Sequence, residues 1–164
     1  MNDGKYIVRK KNRLQTYDYS QNGAYFITVC SEQRKCIFSV IHGATLYDPA
    51  HAALTDLGRK AEQAILRIPA CYSDVRIEKY VIMPNHIHLL LMIDAAAGRP
   101  RVAPTVSRIV QQPKGLATKL IGRQVFQKSF HDRIIRNDDE YRRVWQYIDN
   151  NPALWEQDCF YTEE

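Results

Sequence analysis

The sequence predicts an α+β domain, an antiparallel β-sheet with helices packed on one face. Short runs of β-branched and aromatic residues read as strands, and two longer segments carry apolar residues every three or four positions. The order of these elements, β, α, β, β, α, α, favours hairpins over parallel crossovers. A chain of 164 residues, 45% hydrophobic and 25% charged, is about one ordinary globular domain.

Residues 24–30 follow Asn22-Gly23 and are dense in Tyr, Phe, Ile, Thr and Val, so a strand is expected there. Residues 41–51 contain His42-Gly43 and Asp48-Pro49 and read as a connector, with a short strand near Thr45 to Tyr47. Leu54, Leu57, Ala61, Ala64, Ile65 and Ile68 then keep a helical period, and Pro69 is expected to end that helix. Residues 75–82 and 86–93 form two strands joined tightly at Met83-Pro84-Asn85. Residues 95–104, with four alanines, a glycine and two prolines, form a linker. A second helix is expected from Val106 to Ile121, with Gly122 at its C-terminal cap. Pro113 inside it removes an amide donor. Residues 124–136 suggest a loop and a short strand. Asn137-Asp138-Asp139-Glu140 starts a last helix that runs to about Asn150, before Pro152. The chain thus divides into a basic arm (1–20), one domain (21–155) and an acidic tail (156–164).

Charge is unevenly spread. The net +5 resolves into +4 over residues 1–13, −1 over 14–98, +7 over 99–143 and −5 over 144–164. Such asymmetry is expected of a polyanion-binding surface, though a solvated face on a mildly basic protein would look similar. No apolar run approaches the ~18–20 residues that cross a bilayer. The basic residues Lys5 to Arg13 have no apolar segment behind them, so no signal peptide is read there. A cytoplasmic protein without a membrane partner is expected. Cys30, Cys36, Cys71 and Cys159 form no CxxC pair, which favours free and mostly buried thiols.

The most informative triplet is His86-Ile87-His88. Side chains at i and i+2 of a strand share a face, so the two imidazoles project together and can share a metal ion or contact a phosphate. Two half-buried structural histidines would give the same triplet. Tyr147 and Asn151 lie four apart near the end of the last helix, hence on one face. An amide oxygen there suits Mg²⁺ or Mn²⁺, with a phenol one turn away. A core tyrosine beside Trp145 and a capping asparagine before Pro152 is the competing account.

Three strings in order carry a family resemblance: Met83-Pro84-Asn85-His86-Ile87-His88-Leu89-Leu90, Phe130-His131-Asp132-Arg133-Ile134-Ile135-Arg136-Asn137 and Tyr147-Ile148-Asp149-Asn150-Asn151-Pro152. The chain resembles the single-tyrosine HUH transposases, and within them the REP-associated tyrosine transposase group, over residues 24–155. The resemblance implies a ferredoxin-like or RRM-like HUH fold. It implies that His86 and His88 bind a divalent metal, Mg²⁺ or Mn²⁺, that Asn151 completes the site, and that Tyr147 is the nucleophile. Members cut single-stranded DNA beside hairpin-forming sequences through a 5′-phosphotyrosine and rejoin strands by the reverse step. They act as monomers or homodimers.

Within that resemblance, Arg108, Lys114, Lys119 and Arg123 on the second helix, with Arg133, Arg136, Arg142 and Arg143 near the tyrosine helix, are expected to track the DNA backbone. His131 is placed at the DNA or in a structural role, and the arm from Lys5 to Arg13 at the hairpin. One departure stands out. Pro113-Lys114-Gly115 has proline where relatives commonly have an aromatic residue, which bears on how Lys114 meets DNA. A histidine-triad nucleotide hydrolase is disfavoured because Leu90 stands where its third histidine would be. A non-catalytic relative that binds palindromic DNA is the main alternative.

Overall fold

The computed structural model describes residues 18, 20–43, 45, 47–95 and 104–162. The basic arm, apart from Asp18 and Ser20, and most of the 95–104 linker lie outside them. In chain order the elements are β1 (Gly23–Cys30), β2 (Ser39–His42), β3 (His51–Leu54), α1 (Asp56–Ile65), α2 (Ile68–Cys71), β4 (Val75–Ile82), β5 (His86–Ile93), α3 (Val106–Ile121), β6 (His131–Ile135) and α4 (Asp138–Asn150). A 3₁₀ segment, Pro152–Gln157, follows α4.

The main sheet has the order β4-β5-β1-β6 and every neighbouring pair is antiparallel. Its register sorts side chains cleanly, because residues paired across strands share a face. Tyr25, Ile27 and Val29 of β1 and Ile87, Leu89, Leu91 and Ile93 of β5 enter one buried cluster with Ala61, Ala64 and Ile65 of α1 and Val106, Ile109, Val110 and Ala117 of α3. On the opposite face Ala24 and Leu90 pack with Val144 and Ile148 of α4. The α+β class and the antiparallel sheet are as expected. The sidedness of the helices differs: α1 and α3 cover one face, while α4 lies against the other. Helical periodicity shows that a helix has an apolar stripe, and says nothing of which sheet face receives it.

Three boundaries also differ. Thr45 and Tyr47 are not in a strand; instead β2 and β3 pair as a separate ribbon, Ser39 opposite Leu54 and His42 opposite His51. Leu54 therefore belongs to a strand, and α1 begins after Thr55, whose Oγ1 accepts the Gly58 N–H at 3.1 Å. Pro69 does not end the helix before it. It sits in the first turn of α2, where its missing N–H costs nothing. Gly122, at φ 86°, caps α3 in the left-handed region as expected, its N–H on Thr118 O at 2.9 Å.

Gly58 of α1 leaves no room for a side chain beside Phe38, the residue before β2. A Cβ placed there would fall 1.9 Å from the Phe38 carbonyl oxygen, whereas one at Gly115 meets nothing within 4 Å. Gly58→Ala is expected to lower stability by about 1–3 kcal/mol through overpacking, and Gly115→Ala to raise it by up to about 1 kcal/mol through helix propensity. Urea unfolding midpoints of the two variants check both signs.

Candidate active site

His86 and His88 stand on the α4 face of β5, opposite Cys30 and Thr28 of β1. Both are buried, and their rings lie 4.4 Å apart at 66°. Each Nδ1 is tied to the scaffold. His86 Nδ1 lies 2.9 Å from Asn85 Oδ1, and His88 Nδ1 lies 2.9 Å from Thr28 Oγ1. Asn85 is itself held, its Nδ2 donating to the Phe160 carbonyl at 2.8 Å. An Nδ1 that donates to Asn85 leaves the lone pair on Nε2, the tautomer a metal ligand needs.

Helix α4 brings the other two residues. Asn137 Oδ1 accepts the Glu140 N–H at 2.8 Å, and Glu140 accepts the Arg136 N–H at 2.9 Å, which fixes where the helix starts. Val144 and Ile148 seat it on the sheet. Tyr147 and Asn151 then meet the histidines: the Tyr147 hydroxyl is 3.3 Å from His88 Nε2, and the Phe26 ring lies 5.0 Å from His88 and 6.0 Å from Tyr147. Tyr147 is 37% exposed, so the core-aromatic account does not describe it. Asn151, the C-terminal cap residue of α4, is buried.

A fifth group joins them that sequence reading placed in an acidic tail. Asp158 Oδ2 accepts from the Tyr147 hydroxyl at 2.9 Å and from Asn151 Nδ2 at 2.6 Å. Phe160 lies 4.7 Å from the His86 ring and under the Arg34 guanidinium at 5.2 Å. Asp158 and Phe160 thus pack against the histidine face of the sheet. The residues after Pro152 have no helical or strand period, so nothing in the sequence signalled that Asp158 would turn back to the histidines.

Two buried polar atoms at this junction have no hydrogen-bond partner, His86 Nε2 and Asn151 Oδ1. His86, His88 and Asp158 each offer a ligand atom, all within 4.8 Å of one another. Lone pairs converging without donors fit a cation, and this cluster could bind a metal ion. The electrostatics agree. Burial pushes His86 down to about 4, an effect that Asp158 partly offsets. Burial, with His86 alongside, holds His88 well below the ordinary histidine range. Both rings are therefore neutral near pH 7. Tyr147 is pushed well above the ordinary phenol range by burial and by its bond to Asp158.

The basic residues divide. His131 and Arg133 of β6 sit opposite Thr28 and Phe26 in register, on the histidine face, and both are exposed. Arg133 pairs with Glu140 at 2.6 Å. Arg136, Arg142 and Arg143 are exposed around α4. Arg108, Lys119 and Arg123 are exposed but belong to the α3 layer, across the sheet from the histidines. Lys114 is a correction: it is buried, and its Nζ donates to the carbonyls of Gln127 at 2.7 Å and Lys128 at 3.0 Å. It clamps the loop before β6. All four cysteines are free, but Cys71 and Cys159 are exposed, against the expectation of mostly buried thiols.

No family model matches the chain. An uncharacterized protein of Haemophilus influenzae is 32% identical over 176 residues, a match that spans 94% of each chain. This chain belongs to the same family. Among solved structures, a REP-associated tyrosine transposase bound to a REP hairpin superposes with a TM-score of 0.62 at 22% identity, over 86% of this chain and 73% of that one. The antiparallel α+β architecture of this chain is the fold of that structure. None of the helices among the described residues is long and apolar enough to cross a membrane.

Because the unfolded chain takes up a proton near pH 6.5 and folded His86 only near pH 4, unfolding binds protons between those values. Stability is then complete above about pH 6.5 and falls as pH drops toward 4. Urea unfolding at pH 7 and pH 5 is expected to show a loss that is ~2 kcal/mol smaller in His86→Asn than in the unaltered protein.

Proposed function

We propose that this protein is a metal-dependent single-stranded DNA transposase of the REP-associated type, which cuts and rejoins DNA beside hairpin-forming sequences. The observation that carries this reading is the placement of the Tyr147 hydroxyl 3.3 Å from His88 Nε2, beside the unpartnered His86 Nε2 and Asn151 Oδ1. A nucleophile and a set of converging neutral ligands are what phosphodiester transfer requires. The fold shared with a transposase bound to a REP hairpin supports the same reading.

In this account Tyr147 Oη attacks the scissile phosphorus, a Tyr147–O–P bond forms, and the P–O3′ bond breaks to free a 3′-hydroxyl. The phenol proton leaves along its existing bond toward Asp158 Oδ2, and the departing O3′ takes a proton from solvent. His86, His88 and Asn151 would hold Mg²⁺ or Mn²⁺, with the Asp158 carboxylate within reach. When bound, that cation would supply positive charge that lowers the phenol's pKa and offsets charge growing on the non-bridging oxygens. The covalent link conserves the energy of the broken bond, so rejoining needs no nucleotide cofactor. His131, Arg133, Arg136, Arg142 and Arg143, on the histidine side, contact the DNA backbone. Arg108, Lys119 and Arg123 sit too far round the sheet to share that track.

The test mixes the protein with labelled hairpin oligonucleotides bearing single-stranded flanks from its own genome, in Mg²⁺ or Mn²⁺. A denaturant-stable adduct is expected, lost in Tyr147→Phe and on addition of EDTA. His86→Ala and His88→Ala should reduce adduct formation by at least ~10²-fold while hairpin binding changes far less. Binding without any adduct would sink the enzyme and leave a hairpin-binding protein.

A further inference from the structure

Helix α4 is seated on the sheet by a narrow apolar stripe, Val144 and Ile148 against Ala24 and Leu90. Hydrophobic burial has no direction, so such a seat resists lifting better than rolling. A set of polar contacts stands beside it. In the pairing of β4 with β5, Ile77 faces Leu91 and Lys79 faces Leu90, two residues of β4 against one step of β5. That bulge interrupts the alternation of faces. Ile77 packs with the α1 and α3 layer, whereas Glu78 and Lys79, consecutive residues, both reach α4. Glu78 Oε2 accepts from the Tyr141 hydroxyl at 3.1 Å, and its Oε1 accepts from Arg76 Nε at 3.1 Å. Lys79 Nζ pairs with Asp149 Oδ1 at 2.5 Å and lies 4.5 Å from the centre of the Trp145 ring.

We propose that Glu78 and Lys79 are positioning residues for Tyr147, forming a strut from the β4 bulge that sets the roll of α4 and with it the place of the nucleophile over the histidines. The proposal rests on the cleavage reading above. Tyr141, Trp145 and Asp149 recur every four residues and so share one flank of the helix. At ~100° per residue, Tyr147 and Asn151 fall on the other flank, with Val144 and Ile148 between the two. A hold on the first flank is therefore a lever on the second. Tyr141 and Asp149 stand ~12 Å apart along the axis and bracket Tyr147. The Tyr141 and Trp145 rings also meet, at 6.0 Å between centroids, so the strut bears on a connected surface. A phenol oxygen lies ~9 Å from its helix axis, and a ~10° roll carries it ~1.5 Å. Misplacing a reacting group by ~1 Å can cost 10²-fold in rate. None of these contacts includes His86, His88 or Asn151, so loss of the strut leaves the candidate metal ligands in place.

The experiment uses the full chain with Mn²⁺ and a saturating flanked hairpin oligonucleotide, and reads single-turnover adduct formation beside the Kd for the hairpin. Lys79→Met and Tyr141→Phe are each expected to slow adduct formation about 10–100-fold while Kd changes less than about twofold. Lys79→Arg keeps a cation for Asp149 and for the Trp145 face, and should stay within about threefold of the unaltered protein. Asp149→Asn added to Lys79→Met should slow the reaction no further, because both remove one contact. Hydrogen exchange on the free protein reads the strut without activity: α4 amides are expected to exchange about tenfold faster in Lys79→Met, and β5 amides at an unchanged rate. Adduct rates unchanged in both variants, Kd rising in step with the lost rate, or a Lys79→Arg variant as slow as Lys79→Met overturns the strut. No adduct from the unaltered protein overturns the cleavage reading instead. Hydrogen exchange then decides the strut, and equal α4 protection in Lys79→Met and the unaltered protein overturns it.

Discussion

The pairing of β5 with β1 is the constraint on which the rest of the molecule depends. Because side chains alternate, one register sends Ile87, Leu89, Leu91 and Ile93 into the core beneath α1 and α3 and His86 and His88 to the other side. A slip of one residue would exchange the two sets, burying imidazoles among aliphatic side chains and exposing the core. The apolar set holds that register far more strongly than the histidines could. The position of the site is therefore a by-product of hydrophobic burial.

Holding two imidazoles out of water still carries a cost. Asn85 and Thr28 recover part of it at the Nδ1 atoms. His86 Nε2 and Asn151 Oδ1 stay unpartnered, each at about 1–3 kcal/mol. A cation held at this cluster would return that penalty and so favour the folded state. Helix α4 completes the arrangement from the opposite side of the chain. Its stripe of Val144 and Ile148 is set down on Leu90 and Ala24, and Tyr147 and Asn151 arrive one turn apart at the histidines. The segment after Pro152 then folds back so that Asp158 holds both of them.

Much of this was legible in the sequence, for reasons that differ by element. The strand alternation at 86–93 placed both histidines on one face, and the spacing of Tyr147 and Asn151 put them on one side of a helix. Asp158 was not legible, because it lies in an irregular segment where no period says which way a side chain points. The face of the sheet that receives α4 was not legible either, since an apolar stripe can satisfy itself on either side. Lys114 was readable in hindsight. It stands four residues after Val110 and three before Ala117, both buried, so the stripe that seats α3 on the sheet runs through it, and its charge hid its place. The β2–β3 ribbon was missed because each strand is four residues long, too short for alternation to declare itself.

The active site depends on two imidazoles of one strand sharing a single cation. Electron spin-echo spectroscopy of the protein loaded with Mn²⁺ reads nitrogen ligands directly. Modulation from two imidazole nitrogens in the unaltered protein, reduced to one in His88→Ala, is the result expected here. A spectrum without nitrogen modulation, the same in both proteins, would contradict it.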